Sequence, residues 1–419
     1  MAHYCSIIGL TKKQFSLPIG THKTDQNPHE IIFQMKLTTL LFTLSFSVVV
    51  TFSAGFRLPN QSAEITARGN AGFASVSDVS AVYYNPAALA HSEISGVQLG
   101  LNTIHFEAEV DLSSGTSWES DNDLAIIPTF FYSGFYKDFH MGIGVFSPFG
   151  LSNRFDSSVP FSFLSYESSV DYVRVPLVIS KKIHKSLSIS AGINVNYICF
   201  KSAFRESNLS LSKLEGDGVD FGSVWALLYE PFASHKIGLI YNSKVKHSVE
   251  GNNQNSIAGS IPFSTTMILP EYLDIGYSYQ ANQRWLFEVG VEWVNWETLN
   301  TVTLVYKDTL SDKTIPYHWE SALIYHLGVA HFHENHIFSI GYNYSENSIP
   351  DEFFNPTTAD AIRNGLSGGW SFKKNNLDFQ LSYQYSFSER QVTGSISQLA
   401  DGYWETSYRA FILSVDYQF

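Results

Sequence analysis

Residues 54–89 read AGFRLPNQSAEITARGNAGFASVSDVSAVYYNPAAL. This segment follows a sequence with the layout of an export signal and has no strand-like alternation of its own. A long series of segments that do alternate comes after it. Because side chains along a β-strand have a period of two, this order indicates many strands preceded by a domain of another kind. We therefore predict a plug that lies inside a β-barrel.

The segment before it, residues 35–53, has one lysine, then an apolar run, then small residues. This is the layout of a secretory signal peptide, with cleavage between Ser53 and Ala54. The apolar run is shorter than the roughly 20 residues that a retained membrane helix needs. Residues 1–34 show no periodicity, so they are predicted to be a non-native upstream extension, with Met35 as the initiator.

The composition is unusual for a soluble protein. Aromatic residues make up 15% of the chain and charged residues only 16%, whereas about 25% charged residues is typical. Removal of residues 1–53 takes away four of the 26 basic and two of the 39 acidic residues, which changes the net charge from −13 to −15. Such a chain is a poor partner for nucleic acid, whose binding needs clustered Lys and Arg. Only Cys199 remains, so no intramolecular disulfide can form.

Many later segments alternate strictly between apolar and polar side chains, for example residues 187–197 and 285–293. In a soluble sandwich the apolar face turns inward, whereas in an outer-membrane barrel it faces lipid and the polar face lines the lumen. The connections favour the barrel, because tight turns such as Lys137-Asp138 alternate with long polar links such as residues 111–123. We count fourteen alternating segments, the third of which ends at the breakers Ser147-Pro148.

The last strand also indicates an outer-membrane protein. Its alternate residues from Phe411 to the terminal Phe419 are all apolar or aromatic. An aromatic-ended strand of this kind resembles the signal by which the outer-membrane barrel assembly machinery recognises its substrates. The predicted fold is all-β: a fourteen-stranded antiparallel transmembrane β-barrel (residues 95–419) with an N-terminal hatch (residues 54–94) inside the lumen.

Specific residues carry a family resemblance. Ala54-Gly55-Phe56, Gly69-Asn70-Ala71-Gly72 and Asn85-Pro86-Ala87 resemble the hatch of FadL-type outer-membrane transporters, and Gly142–Leu151 (GIGVFSPFGL) is similar to the third strand of that family. The resemblance implies passive uptake of long-chain fatty acids, or of other hydrophobic molecules such as aromatic hydrocarbons, at the bacterial outer membrane. The expected partners are these small molecules and membrane lipid.

The resemblance also implies roles within the hatch. Asn85, Pro86 and Ala87 would anchor it to the barrel wall, although Asn before Pro is equally a common turn and helix start. Phe56 would occupy a pocket in the lumen and be displaced by ligand, although an aromatic residue there is more simply explained by packing. The sequence leaves both alternatives open.

Two further predictions concern the barrel wall. By resemblance, a kink among Phe146, Phe149 and Leu151 opens a gap through which an apolar ligand leaves sideways, although an ordinary end of a strand explains the same residues. Release into hydrocarbon instead of water is favourable by about 0.8 kcal/mol per methylene. Arg174 has the parity of a lumenal residue, so its guanidinium either binds a ligand carboxylate or pairs with an acid of the barrel or hatch.

No metal-binding, nucleophile or nucleotide-binding motif is present in the sequence, so no cofactor and no enzyme activity are expected. Two alternatives to the hydrophobic channel remain. A general polar porin would have a charged lumen without an apolar pocket. An outer-membrane lipase would need a Ser close to a His on the outer wall of the barrel.

Overall fold

The computed structural model describes residues 55–208, 210–307 and 311–419. The predicted upstream extension (1–34) and signal peptide (35–53) lie outside the described residues. No helix within the described ranges is long and apolar enough to cross a bilayer.

The strands form one continuous hydrogen-bonded sheet. They are β1 (Gly96–Leu112), β2 (Ser117–Glu119), β3 (Ala125–Tyr136), β4 (Phe139–Val145), β5 (Gly150–Arg154), β6 (Glu167–His184), β7 (Leu187–Ser207), β8 (Ser210–Phe232), β9 (His235–Asn242), β10 (Val245–Asn255), β11 (Gly259–Leu269), β12 (Tyr272–Asn282), β13 (Trp285–Val294), β14 (Thr301–Tyr306), β15 (Lys313–Pro316), β16 (Ala322–His333), β17 (His336–Ser345), β18 (Arg363–Lys374), β19 (Leu377–Val392) and β20 (Gly402–Gln418).

Several of these segments are the two halves of one interrupted wall strand: β4 with β5, β9 with β10, β11 with β12, β13 with β14, and β15 with β16. The short β2 pairs with the end of β1. The wall therefore has fourteen antiparallel strands, which confirms the predicted fold class. β1 pairs with β20 along its whole length, from Gly96 opposite Gln418 to Leu112 opposite Gly402, and this pairing closes the barrel.

The two rims of the barrel differ. Short turns such as Lys137-Asp138 and Asn375-Asn376 lie at one rim, and long connections such as residues 346–362 lie at the other. In outer-membrane barrels the short turns are periplasmic and the long connections face outward. We call these the periplasmic rim and the outer rim.

The two faces of the wall differ as the sequence pattern predicts. In β13 the Val289 side chain points outward and is 45% exposed, whereas the neighbouring Glu288 points inward and is 1% exposed. Phe287 and Val291 are exposed on the outer face, and Glu292 is buried on the inner face. An apolar outer face and a polar inner face are the arrangement that a bilayer requires of a barrel.

Residues 55–95, which we call the hatch, fill the interior of the barrel. They contain three short helices, α1 (Ala63–Ala67), α2 (Ala81–Tyr84) and α3 (Ala87–His91), and most of their side chains are buried. The many Ala, Gly and Ser residues let the hatch backbone lie close to the wall. Short 3-10 helices occur in the connections at Pro160–Phe163, Trp296–Thr298, Asp351–Phe353 and Ile396–Gln398.

We expect Val289→Arg to destabilise the barrel by about 2–4 kcal/mol, because a charge near the middle of the lipid-facing wall must leave water. The measurement is equilibrium unfolding by denaturant in lipid vesicles. Ser114→Arg, in an exposed connection at the outer rim, is the matched control and should change the free energy of unfolding little. Equal effects of the two substitutions would contradict the outward orientation of β13.

Candidate functional site

The third wall strand is interrupted at Ser147-Pro148-Phe149, which we call the kink, between β4 and β5. The sequence predicts that the strand ends there; instead it resumes as β5. Proline has no N–H to donate to a neighbouring strand, so an interruption at this residue is expected. β3 pairs with β4 only from Phe130 onward, and within the described ranges it has no pairing with β5. The wall therefore has a gap between the first part of β3 and β5.

Residues 55–58, which we call the hatch tip, pair with the kink from inside the barrel. The N–H of Leu58 donates to the carbonyl oxygen of Pro148 (2.9 Å), and the N–H of Gly150 donates to that of Phe56 (3.0 Å). Arg57 lies opposite Phe149 in this short antiparallel bridge. The hatch tip thus provides the strand partner that the kinked segment lacks in the wall.

The side chain of Arg57 adds an ion pair to this backbone pairing. Its Nε lies 2.6 Å from Oε1 of Glu292, and its Nη1 donates to the carbonyl oxygen of Pro148 (2.8 Å). The guanidinium also lies 4.1 Å from the ring centroid of Tyr272. Burial lowers the pKa of Arg57, but the Glu292 carboxylate and neighbouring groups raise it above its ordinary value, so the side chain stays charged. Arg57 therefore joins the hatch tip, the kink and β13.

An apolar cavity of about 290 Å³, which we call the lumenal cavity, lies beside Phe56 toward the outer rim. The Phe56 ring packs edge-on against Trp296, Trp319 and Phe149, with centroid distances of 4.7, 5.7 and 6.1 Å. Most of the surrounding side chains are apolar, among them Phe200, Phe204, Leu214, Met267, Val302 and Leu304. The cavity can therefore hold an uncharged hydrocarbon group without leaving polar groups unpaired.

A second cavity of about 360 Å³, which we call the wall cavity, lies at the gap between β3 and β5. It extends from the hatch tip to Leu124 and Ile126, which are 56% and 60% exposed on the lipid-facing side. Phe56, Leu151 and Val170 line both this cavity and the lumenal cavity. Phe56 therefore lies between the two, and its displacement would join them.

The structure brings together some of the residues singled out from the sequence. Phe56 and Leu151 line both cavities, whereas Phe149 lines neither and its buried ring packs against Phe56 at 6.1 Å. Phe146 faces a different part of the hatch, where its ring packs against Tyr83 at 4.9 Å and against Phe131 at 5.6 Å. Phe149 therefore packs against the hatch tip at Phe56, whereas Phe146 packs against the body of the hatch.

Asn85, Pro86 and Ala87 line neither cavity. The amide of Asn85 donates to the carbonyl oxygens of Phe73 (2.7 Å) and Leu227 (3.2 Å), and its Oδ1 accepts from the N–H of Ala87 (3.1 Å). Asn85 thus both starts α3 and joins the hatch to β8. A role in anchoring the hatch stays a prediction that this geometry supports.

Arg174 faces the interior, as its parity predicts, and is buried. It donates to Oδ1 of Asn196 (2.8 Å), to Oδ1 of Asn242 (3.0 Å) and to the hydroxyl of Tyr272 (2.8 Å). No acid of the described residues forms an ion pair with it. Its backbone also forms an isolated bridge with Phe146 just before the kink. A ligand-binding role of Arg174 stays a prediction.

Sequence reasoning missed Arg57, Glu292, Trp296 and Trp319. Arg57 is adjacent to Phe56, and Glu292 lies on the polar face of an alternating segment, so both could have been placed in the lumen. Their pairing could not have been found, because 235 residues separate them in the chain.

Residues 44–419 match the family model described as outer membrane protein transport protein (OMPP1/FadL/TodX). The long-chain fatty acid transport protein of Escherichia coli O6:H1 is 22% identical over 421 residues, covering 84% of this chain and 92% of that protein. The 47 kDa outer membrane protein of Pasteurella multocida is 23% identical over 326 residues, covering 67% and 75%.

Solved structures show the same fold. A FadL homologue of Pseudomonas aeruginosa superposes with a TM-score of 0.78 at 16% identity, covering 87% of this chain and all of that one. The toluene transporter TodX of Pseudomonas putida superposes with a TM-score of 0.68, also at 16% identity, covering 88% and all of that chain.

Glycines in the wall leave room for the hatch backbone. A Cβ added to Gly341 would lie 1.9 Å from the N atom of Gly69, whereas one added to Gly368 would lie 3.6 Å from its nearest neighbour, the carbonyl oxygen of Ser339.

We expect Gly341→Ala to force the hatch away from the wall. The ion conductance of channels in planar bilayers should then rise, whereas Gly368→Ala should not change it. Equal conductance of both variants would show that the hatch tolerates the added methyl group.

Proposed function

The chain belongs to the outer membrane protein transport family (OMPP1/FadL/TodX) and is an outer-membrane channel for the uptake of hydrophobic compounds. We propose that it takes up long-chain fatty acids or aromatic hydrocarbons passively and releases them sideways through its wall. Relatives named as long-chain fatty acid and toluene transporters support this range of ligands. The proposal includes no enzyme activity.

The observation that carries the proposal is the position of Phe56 between two cavities. The lumenal cavity is apolar, and the wall cavity reaches the lipid-facing residues Leu124 and Ile126. A ligand that enters the lumenal cavity and displaces Phe56 gains access to the wall cavity and then to the gap between β3 and β5. It leaves into hydrocarbon, which is favourable by about 0.8 kcal/mol per methylene relative to water.

The apolar lumenal cavity argues against a general polar porin, because a porin has a water-filled, polar lumen. The lipase alternative is tested by ester hydrolysis with the purified protein. For the natural ligand, the most direct experiment is extraction of the purified protein followed by mass spectrometry of the bound molecules. A long-chain acid or an aromatic hydrocarbon would support the proposal, and the recovery of polar solutes alone would contradict it.

The other predicted residues take supporting roles in this proposal. Asn85, Pro86 and Ala87 anchor the body of the hatch while the hatch tip moves. Phe146 and Arg174 hold the wall just before the kink. Phe149 supports the Phe56 ring, and Leu151 lies on the surface along which the ligand passes. Arg174 is a less direct candidate for the ligand head, since four polar partners already occupy its guanidinium.

We also propose a route of export. Residues 35–53 act as a signal peptide, the hatch follows it, and the strands after the hatch form the barrel. The barrel assembly machinery would recognise the last strand, β20, whose side chains Phe411, Leu413, Val415 and Tyr417 are exposed on the outer face.

A bulky side chain in the wall cavity should block the route. We expect Ala125→Trp to lower the uptake of a labelled long-chain fatty acid into vesicles by roughly tenfold, because overpacking by about 1–3 kcal/mol must be relieved before a ligand can pass. Ala191→Trp, on the outer face of β7, is the control and should leave uptake unchanged. Normal uptake by the Ala125 variant would rule out the wall cavity as the exit.

Removal of the Phe56 ring should weaken the control of the pathway. We expect Phe56→Ala to raise the leak of ligand through the closed channel by roughly tenfold, because the aromatic contacts that hold the ring between the two cavities contribute about 0.5–1.5 kcal/mol each. Phe200→Ala serves as the comparison, because Phe200 lines the lumenal cavity but not the wall cavity. It should affect ligand affinity but not the leak of ligand through the closed channel. Unchanged uptake kinetics in the Phe56 variant would remove this residue from the mechanism.

A further inference from the structure

Three aspartates, which we call the acid cluster, meet near the periplasmic rim: Asp78 of the hatch, Asp378 at the start of β19 and Asp416 near the end of β20. Asp378 and Asp416 lie directly opposite each other in the antiparallel pairing of these two strands. All three side chains are buried, being 1%, 3% and 0% exposed. Like charges directly opposite each other destabilise a sheet, so the arrangement is costly if every carboxyl group is ionised.

Two glutamines join the hatch to the wall through the acid cluster. Nε2 of Gln98 on β1 donates to Oδ2 of Asp78 (3.1 Å), and Nε2 of Gln380 on β19 donates to the same oxygen (3.1 Å). Nε2 of Gln380 also donates to Oδ2 of Asp378 (3.2 Å), so one amide group connects a carboxyl group of the hatch with one of the wall. The acid cluster is therefore a point at which the hatch is attached to the wall.

The Asp416 carboxyl group is fully buried, and neither of its oxygens is hydrogen-bonded within the described ranges. The N–H of Val79 and the side chain of Gln418 lie near it, but not in hydrogen-bonding geometry. Oδ1 of Asp378, on the opposite strand, also has no donor. An ionised carboxyl group only accepts hydrogen bonds, whereas a protonated one also donates. A proton on Asp416 would therefore supply the donor that this pair of residues lacks.

The charged side chains beside the acid cluster are two cations and one further acid: Lys373 of β18, and Arg68 and Glu64 of the hatch. Arg68 pairs with Glu64 at 3.3 Å, and Nζ of Lys373 lies 3.5 Å from Oδ2 of Asp378. β1 contributes the neutral Gln98. Among the described residues, Lys373 is thus left as the cation for three aspartates. A buried carboxyl group without a cation takes up a proton instead of remaining charged.

We infer that Asp416 keeps a proton at neutral pH, that its O–H donates to Oδ1 of Asp378, and that this shared proton holds the hatch against the wall. When the proton leaves, three like charges repel Asp78 and the hatch from the wall. Once water reaches Asp416, its carboxyl group titrates like an ordinary aspartate, near pH 4 (about 3.9). The proton therefore stabilises the attached state, most strongly at low pH and less as the pH rises. This inference does not depend on which ligand the channel carries.

The test is the ion conductance of the full protein in planar bilayers between about pH 5 and about pH 9. In the wild type, the ratio of open to closed time should rise with pH, by at most about tenfold per pH unit, because release of the hatch is accompanied by the loss of one proton. Asp416→Asn introduces an amide that does not titrate and whose Nδ2 can donate to Asp378. It should keep the channel closed at every pH.

Controls separate the titration from a merely structural role. Gln98→Leu removes a donor to Asp78 that does not titrate, so it should raise the conductance at every pH and keep the pH dependence. Glu405→Gln changes an exposed carboxyl group on the same strand as Asp416 and should behave like the wild type. Folding of each variant is checked by its heat-dependent gel mobility. A wild-type conductance that does not change with pH, or a pH dependence that Asp416→Asn retains, would overturn the inference while leaving hydrophobic uptake intact.

Discussion

The backbone N–H and C=O groups of the kink need hydrogen-bond partners, but the neighbouring strand β3 does not pair with this part of the wall. Buried N–H and C=O groups are almost always paired, because an unpaired group costs as much as a lost hydrogen bond. At the kink, the carbonyl of Pro148 and the N–H of Gly150 are paired with the hatch tip instead of β3. The gap in the wall and the position of the hatch tip therefore depend on each other. A ligand that moves Phe56 must also disturb the inner edge of the gap.

A buried ion pair further couples the position of the hatch tip to the wall. Glu292 is fully buried in the wall, and its ion-pair partner Arg57 belongs to the hatch tip. Removing one member of a buried ion pair leaves an uncompensated charge, which costs about 3–5 kcal/mol. The hatch tip is therefore held by two backbone hydrogen bonds to the kink, by the hydrogen bonds of Arg57 to Pro148 and of the Gly55 N–H to Asp360, and by one buried ion pair. Small movements of the Phe56 side chain are therefore favoured over complete withdrawal of the hatch tip.

The sequence predicted the barrel well, because the period of two and the alternation of short and long connections are local signals. It also identified Phe56 and Leu151, which line both cavities, and Phe149, which packs against Phe56. It did not predict that the third strand resumes as β5, since a proline inside an alternating run looks like a strand end. The contacts of Arg174 and the pairing of Arg57 with Glu292 depend on the register of strands far apart in the chain. Parity placed Arg174 inside the lumen but could not name its partners.

The contacts of the hatch also distinguish a sideways exit from a passage straight to the periplasm. Below the hatch tip, His326 contacts the carbonyl oxygen of Gly69, and Glu288 accepts from the N–H of Ala74. Asn85 joins the hatch to β8 in the same region. A straight passage must break these buried hydrogen bonds together, and each buried polar group left without a partner costs about 1–3 kcal/mol. The proposed sideways passage displaces the Phe56 ring and disturbs the pairing of the hatch tip with the kink, but it leaves these hydrogen bonds of the hatch body in place, which supports the proposed exit.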